Sequence, residues 1–273
     1  MSINSQISRS TNTLKDVPFE TTIDGFHRDS FQVYQPASSG HRSGLDALLL
    51  AASLPSSASG VVADLGAGAG VAGFAALNVN PLLELVAVER NPEMIDLLNM
   101  SLELPANRFL KTRATTLLAD VSKTGINRVR DGLEDNSFDH VMMNPPYYGT
   151  NCRITEDTLK AEAHLMGAGG IDSWFRTAAA IVKPGGLLCL IYPAETLPSI
   201  LACSQGRFGG LEIRPIHSHA NSAAKRLLIC ATRASRAPLM ILPGLIVHNE
   251  DGSFRPAAEA IFEGKGSLDM LLP

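Results

Sequence analysis

The sequence predicts an α/β fold, in which a mostly parallel sheet is covered by helices on both faces. From residue 60 onwards, short apolar segments alternate with segments whose apolar residues recur at helical spacing. The last two apolar segments have no helical pattern between them, so they are expected to form an antiparallel hairpin at one edge. A chain of 273 residues, 45% of them hydrophobic, can bury one large core.

The predicted elements follow one another at short intervals. Strands are predicted at residues 60–65, 83–88, 115–119, 138–143, 187–192, 211–217 and 226–232, which gives a sheet of seven. Helices are predicted from Ser43 to about residue 52 and at 71–79, 93–104, 172–182 and 195–203. The segment Lys183-Pro184-Gly185-Gly186 is expected to be a turn, and so is the basic segment around Arg128 and Arg130.

Composition predicts the domain organisation and the location. Residues 1–22, rich in Ser, Thr and Asn, are expected to be a flexible tail, 23–236 the main domain, and 237–273 an extension packed on it, with an added strand within 239–247. No apolar run is long enough for a membrane helix, and the N-terminus lacks the apolar part of a secretion signal. The four cysteines form no C-x-x-C pair, so neither a metal site nor a disulfide framework is predicted. We expect a cytoplasmic protein with no membrane partner.

A glycine cluster follows the first predicted strand of the sheet and precedes a helix. Its candidate cofactor-binding residues are Asp64, Gly66, Ala67, Gly68 and Gly70. Glycines let a ligand approach the backbone closely and allow positive φ. The pattern Gly68-x-Gly70-x-x-Gly73 also matches the dinucleotide fingerprint, but an acidic residue at the strand end would repel a pyrophosphate and attract an ammonium group. The pattern therefore favours S-adenosylmethionine over NAD(P), with a packing turn that holds no ligand as the third possibility.

Two further carboxylates follow predicted strands. Glu89 ends the second strand, where a carboxylate can accept hydrogen bonds from two ribose hydroxyls, and its neighbour Arg90 is included in the predicted cofactor site. Asp120 follows the third strand and could accept a hydrogen bond from the adenine amino group. The alternatives for Glu89 are an ordinary exposed charge or a cap of the next helix.

The segment Asn144-Pro145-Pro146-Tyr147 follows the fourth strand and is the predicted catalytic motif. Two prolines restrict the backbone, so the Asn144 amide oxygen and the Pro145 carbonyl can each accept one hydrogen of an sp² amino group. Both bonds would free the nitrogen lone pair for attack on a methyl sulfonium, while Tyr147 could stack on the ring or amide that carries the nitrogen. Asn144 is thereby also a neighbour of the cofactor, and the alternative is a rigid turn.

These motifs together resemble the class I methyltransferases that carry [N/D]-P-P-[Y/F], and within them the tRNA adenine-N6 methyltransferases that act beside the anticodon of a valine tRNA. The resemblance extends over residues 22–233 and rests also on Gln35-Pro36, on Gly40-His41-Arg42, on the segment 46–51 and on Lys183-Pro184-Gly185-Gly186. It implies a Rossmann-like class I sandwich, S-adenosyl-L-methionine as cofactor with S-adenosyl-L-homocysteine as product, and tRNA as substrate. It also implies that the segment with Arg42 and Asp46 caps the cofactor site.

The acceptor is the less determined part of the prediction, because the same tetrapeptide serves adenine, guanine, cytosine and glutamine nitrogens. A net charge of −4 excludes a strongly basic nucleic-acid coat, and residues 148–170 carry only Arg153 and Lys160 as basic residues. DNA is not expected, because no target-recognition region is visible. Structured RNA, with tRNA as the named candidate, is therefore the first prediction, followed by a protein glutamine amide and a small molecule. A non-catalytic cofactor-binding module and an NAD(P)-dependent oxidoreductase are the alternatives of other classes.

Overall fold

The structure, a computed structural model, describes residues 9–12, 20–37, 44–146 and 170–268. Its strands form two sheets, a small one of three strands and a large one of nine. The strands are β1 Arg9–Asn12, β2 Thr21–Phe26, β3 Phe31–Pro36, β4 Gly60–Leu65, β5 Leu83–Glu89, β6 Ala114–Leu118, β7 Phe138–Met143, β8 Val182–Pro193, β9 Phe208–His217, β10 Arg226–Arg233, β11 Met240–Ile241 and β12 Leu245–Ile246.

Helices lie between the strands of the large sheet and on its two faces. They are α1 Leu45–Ala52, α2 Val71–Val79, α3 Pro92–Leu102, α4 Arg108–Lys111, α5 Gly125–Arg130, α6 Gly170–Ile181, α7 Leu197–Ser204 and α8 Pro256–Phe262, with short 3-10 turns at Pro105–Asn107 and Ala194–Thr196. One apolar core joins the sheet to α1, α2 and α8. A second core, on the other face, joins it to α6 and α7.

The large sheet has the predicted topology. Its seven long strands lie in the order β9-β10-β8-β7-β4-β5-β6. Strands β4 to β8 pair in parallel, and β10 is antiparallel to both β8 and β9. The prediction of a seven-stranded, mostly parallel α/β sandwich with an antiparallel C-terminal hairpin is therefore confirmed.

Three short strands lie outside the seven long strands of the large sheet, one near the N-terminus and two near the C-terminus. Arg9–Asn12, which falls in the predicted tail, pairs antiparallel with β2. At the other end, β11 and β12 each pair in parallel with β9, which places two short strands within the region predicted to contain one. These pairings join residues that are distant in the sequence or lie at sheet edges, where local patterns are weakest.

The small sheet packs through β2 and β3 against the first core. The Phe26 and Phe31 rings stack with centroids 5.6 Å apart, and Phe31 meets Phe74 of α2 edge-on at 6.3 Å. Between β2 and β3 the chain turns through His27, Arg28 and Asp29, all at positive φ. The small sheet thus lies on the same side of the large sheet as α1 and α2.

Two local predictions were wrong or incomplete. The basic segment predicted as a turn is the helix α5, whose Arg128 is buried and bonds the Leu133 carbonyl and the Asp135 carboxylate. The segment predicted as a turn before the fifth strand lies within β8, where the pairing with β7 shifts register between Phe138 and His140. The β8 segment is determined by its long-range pairing with β7, whereas the partners of Arg128 lie within seven positions of it.

Candidate active site

The predicted site residues follow neighbouring parallel strands and meet at one edge of the sheet. Leu65 of β4 is the register partner of both Met143 of β7 and Val88 of β5. The glycine cluster, Asn144 and Glu89 therefore leave the sheet side by side. Glu89 is in turn paired with Leu118 of β6, two residues before Asp120. Open α/β sheets bind ligands at this carboxyl edge.

The glycine loop adopts the backbone that its sequence requires. Gly66, Gly68 and Gly70 all have positive φ, at 69°, 55° and 85°. The loop is anchored to the next strand, because the Ala67 amide donates to the Val88 carbonyl at 2.9 Å. A Cβ at Gly68 would meet no atom within 4 Å, so this glycine borders open space. The cradle fits a cofactor that lies against the backbone.

Asp64 is buried at the end of β4 and points towards α2. Its Oδ2 accepts a hydrogen bond from the Gly73 amide at 3.0 Å, in the first turn of the helix. Burial raises the pKa of this carboxyl group to about 7, the Gly73 amide opposes the shift, and the charge of Glu89 adds to it. A carboxylate this poorly solvated is stabilised by any cation that reaches it.

Glu89 connects the glycine loop to the turn before α3. Its Oε2 accepts from the Gly68 amide at 3.0 Å, and its Oε1 accepts from the Arg90 and Asn91 amides at 2.8 and 2.9 Å. The carboxylate is thus held at the mouth of the loop, partly exposed, with Arg90 exposed beside it. Asp120 caps its own turn through the Ser122 amide and hydroxyl, both at 2.8 Å.

The Asn-Pro-Pro turn is held by a residue that sequence reasoning missed. Asn144 is half-buried, Pro145 is buried and Pro146 is exposed. The buried Tyr192, near the end of β8, donates its hydroxyl proton to the Pro146 carbonyl at 3.3 Å. The fourth residue of the motif, Tyr147, lies outside the described residues. The turn is therefore fixed from the neighbouring strand as well as by its prolines.

Of the two residues predicted to cap the cofactor site, the structure describes Asp46. Asp46, in the first turn of α1, forms an ion pair with Arg226 at the start of β10, with Oδ2 and Nε 3.0 Å apart. This pair fastens α1 to the same end of the sheet that carries the Asn144 turn, because Arg226 is paired with Pro193. Arg42 lies outside the described residues.

Trp174 is a second residue that the sequence analysis did not select. Its indole covers Gly66 so closely that a Cβ there would lie 2.5 Å from the ring. Trp174 is half-buried on α6 and packs against the core on that face. The sequence singles out this residue only as the one tryptophan of the chain. No pattern around it predicts a contact with Gly66, which lies 108 positions earlier.

Membrane-spanning helices and clusters of metal ligands are both absent from the part of the chain that the structure describes. Within it, no helix has both the length and the apolar character that crossing a membrane requires. Over the same residues, no three His, Cys, Asp or Glu side chains converge as metal ligands would.

Comparison with known proteins identifies the family. The model of the methyltransferase small domain family matches residues 41–195. Two proteins named tRNA1(Val) (adenine(37)-N6)-methyltransferase are each 24% identical to the chain. The one from Flavobacteriaceae bacterium (strain 3519-10) aligns over 69% of this chain and 75% of its own length. The one from Shewanella woodyi (strain ATCC 51908 / MS32) aligns over 89% and 97%.

A solved structure shares the fold at higher identity. It is a predicted O-methyltransferase, protein Atu636 from Agrobacterium tumefaciens, which is 37% identical with a TM-score of 0.71 over 81% of this chain and 97% of its own. The predicted enzyme class and the predicted cofactor, S-adenosylmethionine, are confirmed. Because the family model spans more than half of the sequence and this relative shares the fold over nearly its whole length, the chain belongs to the methyltransferase small domain family, as a class I S-adenosylmethionine-dependent methyltransferase.

Proposed function

We propose that this enzyme methylates the N6 amino group of an adenine in tRNA. The observation that carries the proposal is the Asn144 turn, which follows the strand next to the glycine loop and is held by Tyr192. The names of the two curated relatives support the choice of adenine in tRNA. A tRNA substrate would in turn imply that the enzyme acts in the cytoplasm.

The turn offers two acceptors to one planar nitrogen. The Asn144 amide oxygen and the Pro145 carbonyl each accept one N–H of the adenine amine, which orients the amine and localises its lone pair. The cofactor supplies an electrophilic methyl group bound to a sulfonium. As the amine nitrogen forms its bond to the methyl carbon, the bond from that carbon to sulfur would break, with S-adenosylhomocysteine as the leaving group. The surplus proton of the amine would pass to solvent. Tyr147 would cover the flat face of the base.

The carboxylates of the sheet edge are proposed to hold the cofactor. Asp64 receives the ammonium group, Glu89 the ribose hydroxyls and Asp120 the adenine amine of the cofactor. Glu89 already accepts from the Gly68 amide, so we expect it to position the loop and the ribose with the same carboxylate. Arg42 and the segment around Asp46 would cap the methionine end, with Arg90 at the exposed rim.

Contact with RNA requires basic residues that the fold itself does not use. Two candidates already bind other parts of the fold. Arg113 donates to the Leu77, Asn80 and Leu83 carbonyls, and Arg233 donates to the Val182 carbonyl and the Asn136 side chain. Lys225, by contrast, is exposed in the β9–β10 connection. That connection lies at the same edge as the Asn144 turn, because β10 begins opposite the end of β8. We propose Lys225 as a phosphate contact.

The name of the Agrobacterium relative raises the question of an oxygen acceptor. Methylation of a hydroxyl group requires a base to remove its proton, whereas the two acceptors of the Asn144 turn match the two hydrogens of an amine. An amide nitrogen of a protein glutamine presents the same two hydrogens. The experiment must therefore separate adenine, glutamine and oxygen acceptors.

The test is methyl transfer from labelled S-adenosylmethionine into bulk tRNA and, separately, into bulk protein from cells that lack this enzyme. We expect label in tRNA that digests to N6-methyladenosine. Asn144→Ala should abolish the transfer while the affinity for S-adenosylhomocysteine stays within about threefold, because the main proposed role of the Asn144 side chain is to hold the acceptor nitrogen. Asn127→Ala, on the exposed side of α5, is the matched control and should retain full activity.

Two results would contradict the proposal. Label found only in protein, or released as an O-methyl product, would replace adenine with another acceptor. Near-normal transfer by Asn144→Ala would show that the turn does not hold the acceptor. A loss of transfer accompanied by a loss of cofactor affinity would instead indicate damage to the site as a whole.

A further inference from the structure

A cavity lies under the C-terminal strands, away from the methyl-transfer edge. Its volume is about 250 Å³, and it opens between the β8–β10–β9 face and the C-terminal segment. Its lining includes Ser53, Arg214, Leu228, Cys230, Thr232 and Leu242. Leu187 and Thr232, which are register partners in β8 and β10, place the cavity towards the opposite end of the strands from Pro193 and Arg226.

Cys230 lines this cavity, and the buried thiol of Cys189 lies directly beside it. Cys189 of β8 and Cys230 of β10 are direct register partners in the antiparallel pair, and their Sγ atoms are 3.1 Å apart. Opposed residues in antiparallel strands have Cα atoms roughly 4.5–5.5 Å apart. That spacing falls within the roughly 4.4–6.8 Å that a disulfide spans. The backbone is thus already arranged for a bond between these two sulfurs.

The thiols also share one acceptor. The Ser53 carbonyl, at the C-terminal end of α1, lies 3.7 Å from the Cys189 sulfur and 3.5 Å from the Cys230 sulfur. Three groups thus form a compact triangle in which both sulfurs face the same side of the sheet as α1. No rotation of either strand is needed to bring the sulfurs into contact.

We propose that Cys189 and Cys230 are a modification site, at which a small hydroperoxide that enters the cavity oxidises the pair to a reversible intrachain disulfide. This inference is independent of the methyl acceptor. It concerns interior positions of β8 and β10, and neither cysteine is part of the Asn144 turn or the glycine loop.

The chemistry is balanced within the pair and the oxidant. The Cys230 sulfur attacks one peroxide oxygen, the O–O bond breaks, and a sulfenic acid is formed. The other oxygen leaves with the thiol proton, as water from hydrogen peroxide or as an alcohol from an organic hydroperoxide. The Cys189 sulfur then attacks the sulfenic sulfur, the S–O bond breaks, and the hydroxyl leaves as water with the proton of Cys189. Two thiols are oxidised by two electrons in total, and one hydroperoxide is reduced.

The environments of the two thiols assign their order. Cys230 is partly exposed and lines the cavity together with Arg214 and with Glu212, its register partner in β9. Cys189 is buried, and burial holds its pKa well above the ordinary value. The accessible sulfur therefore reacts first with the oxidant, and the buried one completes the bond.

The experiment uses a Cys152→Ser, Cys203→Ser variant of the full chain, so that only the pair remains. Treatment with hydrogen peroxide, quenching by alkylation and intact mass measurement should show the loss of two hydrogen atoms per chain. Peptide mapping should locate the bond at Cys189 and Cys230, and dithiothreitol should reverse it. Adding Cys230→Ser should abolish the loss, with circular dichroism as the check of folding.

A second measurement needs no substitution. Phenylarsine oxide bridges two thiols that are close together, so it should bind the unmodified chain and protect Cys189 and Cys230, but not Cys203, from alkylation. Conversion of Cys230 to sulfinic acid without a disulfide, or alkylation of both thiols in the presence of the arsenical, would overturn the proposal.

Discussion

The buried carboxylate of Asp64 gives a prediction that the pH dependence of folding can test. Asp64→Asn removes the charge but keeps an oxygen that can accept from the Gly73 amide. At high pH the wild-type chain must hold an ionised carboxylate at a site with little solvation, whereas the variant holds a neutral amide. The variant should therefore gain stability relative to the wild type as the pH rises.

The magnitude follows from the two pKa values of the carboxyl group. It is 3.8 in the absence of the fold and about 7 within it, and this difference corresponds to roughly 4 kcal/mol. Because the folded pKa is the higher one, the folded chain binds more protons than the unfolded chain between these values. Stability then falls as the pH rises through this window. Between about pH 5 and pH 8 the wild type should lose roughly 2–3 kcal/mol relative to Asp64→Asn.

The assay is urea denaturation of both proteins without cofactor at pH values from 5 to 8. Other groups, such as His27 with a pKa that burial lowers to about 4, titrate in both proteins and cancel in the difference. Glu84→Gln, on the exposed side of β5, is the control and should show no comparable trend. A wild-type-to-variant difference that stays within about 0.5 kcal/mol over this range would refute the reasoning about Asp64.

Binding of S-adenosylhomocysteine separates this stability effect from the proposed role in the site. If Asp64 receives the ammonium group, Asp64→Asn should weaken the affinity by roughly 1–3 kcal/mol although the free protein is more stable. Unchanged affinity together with the expected stability profile would leave Asp64 as a purely structural acid.

Two further predictions concern the loop and the turn. Gly68→Ala should lower the free energy of unfolding by about 1 kcal/mol, because the residue has positive φ, and should also lower cofactor affinity. Gly66→Ala should destabilise the fold by roughly 1–3 kcal/mol more, because its Cβ meets the Trp174 ring. Urea denaturation measures the stabilities and a binding titration measures the affinity. Equal stability of the two variants would contradict the packing argument. Tyr192→Phe removes the hydrogen bond to the Pro146 carbonyl and should lower kcat roughly 2–10-fold at unchanged cofactor affinity. An unchanged kcat in steady-state assays would mean that the turn keeps its geometry without this hydrogen bond.

The central sheet could be predicted from the sequence because its pattern is local. Strands β4, β5 and β7 are short, mostly apolar segments, and each is followed within two residues by a glycine, asparagine or proline. The handedness and length of the connections between parallel strands leave few alternatives for strand order. The positions of the glycine loop, Glu89 and Asn144 at one edge then follow from parallel pairing alone.

The partners of the site residues could not be predicted, because they come from distant parts of the chain. Asp46 was selected as a capping residue, yet nothing near it in the sequence indicates its ion pair with Arg226, 180 positions later. The same holds for Trp174 against Gly66 and for Tyr192 on the Pro146 carbonyl. Local patterns select the residues that carry chemistry, whereas tertiary packing determines the groups that orient them.

Asp64 shows how the two levels combine in one argument about the ligand. A structural cap for the Gly73 amide needs only an acceptor oxygen, which a neutral side chain supplies without the cost of a buried charge. The carboxylate is less favourable for folding above neutral pH, and its advantage over an amide appears only when a cation approaches it. A pyrophosphate at this loop would increase the energetic cost of the buried Asp64 charge by repulsion, whereas an ammonium group would offset that cost. The cost of Asp64 to the free protein thus favours the cofactor that the glycine pattern predicts.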